Sequence, residues 1–121
     1  MKKTVIVGAT PNSARYAYMA AERLTEHQHE IVPVGIKKGK VFGKSILPIR
    51  EHPVVDEVHT VTLYLGARHQ PEYYDYILGL QPDRIIFNPG TENDEFMAMA
   101  EDQGIEVVEG CTLVMLSVGN F

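Results

Sequence analysis

Short runs of β-branched and apolar residues alternate along this chain with longer segments in which apolar positions recur at helical spacing. Thr4 to Val7, Ile31 to Val34, Val58 to Leu65, Arg84 to Phe87 and Ile105 to Val108 have the composition of buried strands and are bounded by turn residues. Between them, Ser13 to Gln28 reads as a helix. Tyr16, Met19, Ala20, Arg23 and Leu24 stand there at helical spacing, with Asn12 or Ser13 as the N-cap. Pro71 to Leu80 reads as a helix with proline in its first turn, and Glu92 to Gln103 as a helix closed by Gly104. Gly35 to Ser45 is rich in Gly and Lys, too polar for a core element, and reads as an excursion leading to a short edge strand near Ile46 and Leu47. Pro48, which cannot donate to a ladder, supports the edge position. Cys111 to Val118 is short and continuously apolar; after an edge strand it reads as a helical turn packing back on the sheet.

Strand and helix in alternation predict an α/β fold with a doubly wound, mostly parallel sheet of five to six strands and helices on both faces. Right-handed crossovers give the order edge strand, second, first, long third, then the last two. The progression reverses between the first strand and the strand ending at Leu63 to Leu65, which opens a crevice at the carboxyl ends of the strands. Its expected walls are the Gly8 turn, the loop after Val34, the residues around Tyr64, and the turn Asn88-Pro89-Gly90-Thr91.

Length and charge narrow the ligand. A chain of 121 residues forms one domain with its own core, spanning residues 1–121. A formal charge of -5 argues against general affinity for nucleic acid or acidic membranes, so any anion site is local. The single cysteine, Cys111, allows no internal disulfide, no apolar run resembles a signal peptide or a membrane span, and no metal-ligand spacing is present. These features predict a soluble, cytoplasmic protein.

The first strand runs into Gly8-Ala9-Thr10-Pro11-Asn12-Ser13-Ala14-Arg15, a turn that opens into a helix and aims free amides at one small volume. Arg15 can add a bidentate guanidinium for the same phosphate. The dinucleotide fingerprint Gly-x-Gly-x-x-Gly is incomplete, since Thr10 and Ser13 replace the second and third glycines. An acid is also missing at the end of the second strand, where Val34-Gly35-Ile36-Lys37-Lys38 stands instead. Basic residues at that place suit a ribose with an extra phosphate, the 2′-phosphate of NADP or the 3′-phosphate of coenzyme A. Glu92, Asp94 and Glu95 are carboxylates that a helix dipole favours in a first turn, and His27 and His29 stand at a helix end where a cation is stabilised. Cys111 reads as a buried apolar residue rather than a nucleophile.

Four motifs in register, Gly8 to Arg15, Ile31-Val32-Pro33-Val34, Val61-Thr62-Leu63-Tyr64 and Asn88-Pro89-Gly90-Thr91-Glu92-Asn93, resemble the small bacterial CoA-binding domain proteins over almost the whole chain. These in turn are similar to the amino-terminal CoA-binding domain of the succinyl-CoA synthetase α subunit. The resemblance implies a Rossmann-like domain. It places the pyrophosphate at Gly8, Ala9, Thr10, Asn12, Ser13 and Arg15, with Gly35 and Lys37 at the 3′-phosphate end. Leu63 and Tyr64 would flank the adenine or pantetheine arm, and Asn88, Pro89, Gly90 and Thr91 would close the crevice near the pantetheine end. Pro-Val-Gly-Ile-Lys-Lys departs from the Pro-Val-Asn-Pro of many small relatives.

The implied function is non-catalytic binding of coenzyme A or acyl-CoA by a carrier, sensor or regulatory module. The alternative is an enzyme component, either a split acyl-CoA ligase subunit or a small NADP-dependent reductase in which Tyr64 is the placed proton donor. Two protein partners fit these readings, a second copy in a homodimer or a synthetase-like subunit.

Overall fold

The computed structural model describes residues 1–121. Its strands are β1 (Thr4–Val7), β2 (Ile31–Gly35), β3 (Lys40–Val41), β4 (Lys44–Ser45), β5 (Leu47–Pro48), β6 (Thr60–Leu63), β7 (Arg84–Phe87) and β8 (Glu106–Glu109). The helices are α1 (Tyr16–Glu26), α2 (Tyr74–Gly79), α3 (Asp94–Asp102) and α4 (Thr112–Val118). Six strands form one sheet in the order β5-β2-β1-β6-β7-β8, every pair parallel, and β3 and β4 form a separate antiparallel hairpin. The predicted doubly wound topology and strand order are therefore those observed.

Side-chain alternation splits the core into two layers. Val5, Val7, Val61, Leu63, Ile85 and Phe87 face α2 and α3, where they meet Tyr74, Ile77, Phe96 and Ala100. Ile6 and Ile86, one residue out of phase, face α1 and α4 and meet Ala17, Ala21, Leu24 and Leu116. Thr62 falls in the same phase as Ile6 and Ile86. It is fully buried, and its hydroxyl meets Thr112 Oγ1 of α4 at 2.7 Å.

Several boundaries differ from the sequence expectation. The first helix begins at Tyr16, with Arg15 in the N-cap position and no side-chain cap. Asn12 and Ser13 are not its cap: Asn12 Oδ1 accepts the Ala14 N–H at 3.0 Å and so folds the preceding turn instead. Tyr16 is 69 % exposed, and the buried stripe consists of Ala17, Ala20, Ala21 and Leu24. The long third strand keeps ladder pairing only over Thr60–Leu63, and the helix expected from Pro71 starts as a 3-10 turn over Pro71–Tyr73 before α2. The helix expected from Glu92 starts at Asp94, because Asn93 Oδ1 takes the Phe96 N–H at 3.1 Å and caps it there.

The excursion after β2 is more ordered than its composition indicates. Phe42 and Gly43, with φ of 49° and 83°, make the tight turn between β3 and β4, which has the left-handed backbone that suits a two-residue hairpin. Val41 is buried, and Phe42 packs on Tyr18 with ring centroids 5.0 Å apart, so the hairpin is anchored on α1. His29 also departs from expectation: its Nδ1 accepts the Lys2 N–H at 3.0 Å, and burial with nearby positive charge lowers its pKa, which favours a neutral ring. No helix is long and apolar enough to cross a membrane.

Candidate functional site

Three strand ends converge on two residues that lack side chains. The N–H groups of Gly8 and Ala9 both donate to the carbonyl of Val34, at 2.9 and 3.1 Å, which ties the turn after β1 to β2. Gly8 has φ of +97°, and a Cβ there would lie 3.0 Å from the carbonyl carbon of Tyr64 and 3.1 Å from its oxygen. At Gly35 a Cβ would lie 2.8 Å from the carbonyl oxygen of Ala9. At Gly35 a Cβ cannot be placed without a shift of backbone, and at Gly8 the positive φ and the tight contact with Tyr64 together favour glycine, so both residues permit a close approach of backbone to backbone.

The convergence leaves a crevice of 620 Å³ at the carboxyl ends of the strands. One side is formed by Gly8, Ala9 and Thr10 with Arg15, Tyr16 and Ala17 at the start of α1. Gly35, Ile36 and Lys37 follow β2, Tyr64, Leu65 and Gly66 follow β6, and Pro89, Gly90 and Thr91 follow β7. Ile49, His69 and Tyr73 complete the lining. A second recess of 640 Å³ adjoins it, sharing Gly35, Ile36, Lys37 and Ile49 and adding Lys38, Lys40 and Arg50 with a single acid, Glu51. The β2 side of the crevice is thus strongly basic in a chain whose net charge is negative.

The site carries unspent donors. The N–H groups of Tyr16 and Ala17, the first two of α1, have no acceptor within the protein, as expected at a helix start. Arg23 pairs with Glu26, and His59 lies 3.9 Å from Asp83; neither contact uses Arg15 or Lys37. Two acids near the β7 side are held by hydrogen bonds: Glu92 Oε1 accepts the Gly90 N–H at 2.9 Å, and Glu95 Oε1 accepts from the Tyr74 hydroxyl at 3.0 Å.

Tyr64 contributes to the wall of the crevice, but its hydroxyl is buried and has no hydrogen-bond partner. Burial pushes the phenol up to about 12. Beneath it, Asn88 Nδ2 donates to Thr62 Oγ1 at 2.8 Å and to the Leu63 carbonyl at 2.9 Å, while Asn88 Oδ1 accepts the Thr112 N–H at 2.9 Å. Asn88 is therefore a buried joint between β6, β7 and α4 rather than a group on the crevice surface.

Of the residues expected at the site, the structure brings Gly8, Ala9, Thr10, Arg15, Gly35, Lys37, Tyr64, Pro89, Gly90 and Thr91 to one crevice. It leaves four outside the lining. Leu63 and Asn88 are buried behind the wall, and Asn12 and Ser13 lie on the exposed outer part of the turn. Tyr16, Ile36, Ile49, Leu65, His69 and Tyr73 line the crevice without having been expected there. For Tyr16 and Ile36 a signal existed, since each is a large apolar residue directly after a predicted site residue. Each proves more than half exposed.

Comparison with known proteins agrees with this fold. The chain matches a crystal structure described as that of an uncharacterized protein at 59 % identity, TM-score 0.97, over 100 % of this chain and 98 % of that one. A hypothetical protein from Pyrococcus horikoshii OT3 matches at 25 % identity, TM-score 0.87, over 97 % and 82 % of the two chains. A Thermus thermophilus structure, cell-free ID.343, matches at 19 % identity, TM-score 0.84, over 99 % and 90 %, and shows the likeness of fold. No curated protein matches. The model of the CoA binding domain family matches residues 2–117. With nearly the whole chain covered, and with the crevice where the sheet topology places it, this protein belongs to the CoA-binding domain family.

Proposed function

We propose that the crevice binds coenzyme A or an acyl-CoA, and that the chain acts through this binding as a carrier, sensor or regulatory module. The observation that carries the reading is the pairing of a tight phosphate turn with a basic recess where a nicotinamide dinucleotide site requires an acid. The unbonded amides of Tyr16 and Ala17, together with Arg15, suit a pyrophosphate. Lys37, flanked by Lys38, Lys40 and Arg50, suits the 3′-phosphate on the β2 side. Tyr16 and Ile36 offer exposed apolar surface for the base between them and the phosphates. The pantetheine arm, on this reading, runs the other way, past Tyr64 and Leu65 to Pro89, Gly90 and Thr91.

Gly8 and Gly35 support the fit, since a Cβ at either would press on the backbone of Tyr64 or Ala9 and push the strand ends that form the crevice apart. The buried Tyr64 hydroxyl favours this reading over a reductase. The phenol that the sequence offers as a proton donor for hydride chemistry has its hydroxyl buried, and burial holds its proton to about 12.

Thermal unfolding with and without ligand tests the reading. At a hundredfold excess over its Kd, CoA is expected to add about 2.7 kcal/mol to stability, a rise of several degrees in Tm. Dephospho-CoA is expected to give a clearly smaller rise at the same concentration. Equal shifts would remove Lys37 and its basic neighbours from the account.

A further inference from the structure

Gln70 is the fully buried polar side chain that joins the two walls of the crevice on the side away from β2. Its Nε2 donates to the carbonyl of Leu65, just past β6, at 2.8 Å and to the carbonyl of Thr91, just past β7, at 2.9 Å. Its Oε1 accepts from Asn93 Nδ2 at 2.9 Å. Asn93 in turn caps α3 through Oδ1 and donates to the Tyr74 hydroxyl at 2.8 Å. Gln70 is itself held at the junction of two 3-10 turns, Ala67–His69 and Pro71–Tyr73, where its N–H meets the Ala67 carbonyl and its carbonyl takes the Tyr73 N–H.

Leu65 and Thr91 both line the crevice, and so do Gly66, His69, Pro89 and Gly90 beside them. Beyond the ladder pair Leu63 and Phe87, strand pairing no longer fixes the distance between these two segments. A single amide nitrogen bonded to both carbonyls does. Because neither carbonyl can be rebonded by an apolar replacement, loss of the amide frees both walls and leaves the buried Thr91 carbonyl and the half-buried Leu65 carbonyl unmet.

We infer that Gln70 is a positioning residue: it sets the width of the β6–β7 half of the crevice and thereby the affinity for the arm that lies there, without touching the ligand. The inference rests on the reading of the crevice as a CoA site. On that reading the phosphates and base occupy the β1–β2 half, about one to two strand spacings, roughly 5–10 Å, from the Gln70 clamp. Gln70 therefore acts on the pantetheine half only.

Isothermal titration of two probes separates the halves. Coenzyme A spans both, and adenosine 3′,5′-bisphosphate reaches only the β1–β2 half. For Gln70→Leu the expected result is a loss of CoA affinity of about tenfold or more with bisphosphate affinity unchanged within about twofold. A general loss of structure would weaken both probes alike. Should Gln70→Leu not fold, Asn93→Asp keeps the cap on Phe96 while removing the Nδ2 donor to Gln70, and the same split is expected in smaller size. Equal losses for both probes, or none for either, would overturn the positioning role. Failure of the wild-type chain to bind either probe would instead overturn the CoA reading and the inference with it.

Discussion

Gly8→Val is expected to lower the unfolding free energy by about 3 kcal/mol or more, and to remove ligand binding from whatever fraction folds. Two costs add at this position. The backbone sits at φ of +97°, which a β-branched residue adopts only under strain, and the new Cβ would press on the Tyr64 carbonyl at 3.0 Å. The turn can relieve the contact only by moving away from β6, which displaces the start of α1, where the unbonded amides of Tyr16 and Ala17 and the Arg15 side chain stand together. Urea denaturation followed by circular dichroism measures the first effect, and CoA titration the second. Gly66→Ala serves as the control, because Gly66 lines the same crevice with open space at its Cβ position and a φ of -60°. It is expected to fold with wild-type stability within about 0.5 kcal/mol. Comparable losses for the two variants would show that the Gly8 turn has no special backbone requirement.

The second large effect is at Asn88. Asn88→Ala removes three buried hydrogen bonds and strands the Leu63 carbonyl and the Thr112 N–H without partners. At roughly 1–3 kcal/mol for each unmet buried group, the expected destabilisation is about 3 kcal/mol. Its character matters as much as its size. Asn88 was expected from the sequence to contact ligand, whereas its buried position between β6, β7 and α4 assigns it to stability. A denaturation midpoint that falls while CoA affinity of the folded protein stays near wild type is the expected outcome. Wild-type stability with lost affinity would return Asn88 to the crevice surface.

These two residues show where sequence reasoning reached and where it stopped. The strand order could be read because the β-branched runs are short, the helical segments between them are long, and right-handed crossovers leave few ways to close a parallel sheet. The crevice followed from that order, and Gly8, Gly35, Lys37 and Pro89 to Thr91 could be placed on it because they directly follow predicted strands. Leu63 and Tyr64 could not be told apart in the same way. Neighbours on a strand point to opposite faces, and the phase is fixed only by what packs on each face. Leu63 went to the α2 and α3 layer, and Tyr64 to the α1 and α4 side with its hydroxyl turned down toward Thr62 and Thr112.

Gln70 was beyond reach for a different reason. Its partners at positions 65, 91 and 93 meet only once β6 and β7 are paired, and nothing in the local sequence Arg68-His69-Gln70-Pro71 distinguishes a buried clamp from a polar loop residue. The start of α1 is an intermediate case. Asn12 and Ser13 have the composition of an N-cap, but the Asn12 oxygen is taken by the Ala14 amide, and the helix begins two residues later with its first amides unbonded. That local competition leaves donors at the mouth of the crevice.

Whether the crevice is a coenzyme A site is decided by native mass spectrometry of the protein purified without added ligand, followed by titration with coenzyme A. The expected result is a retained species, or one formed on titration, whose added mass is that of coenzyme A or an acylated CoA, at one per chain. A retained NADP, or a chain that takes up no coenzyme A at any concentration tested, would contradict it.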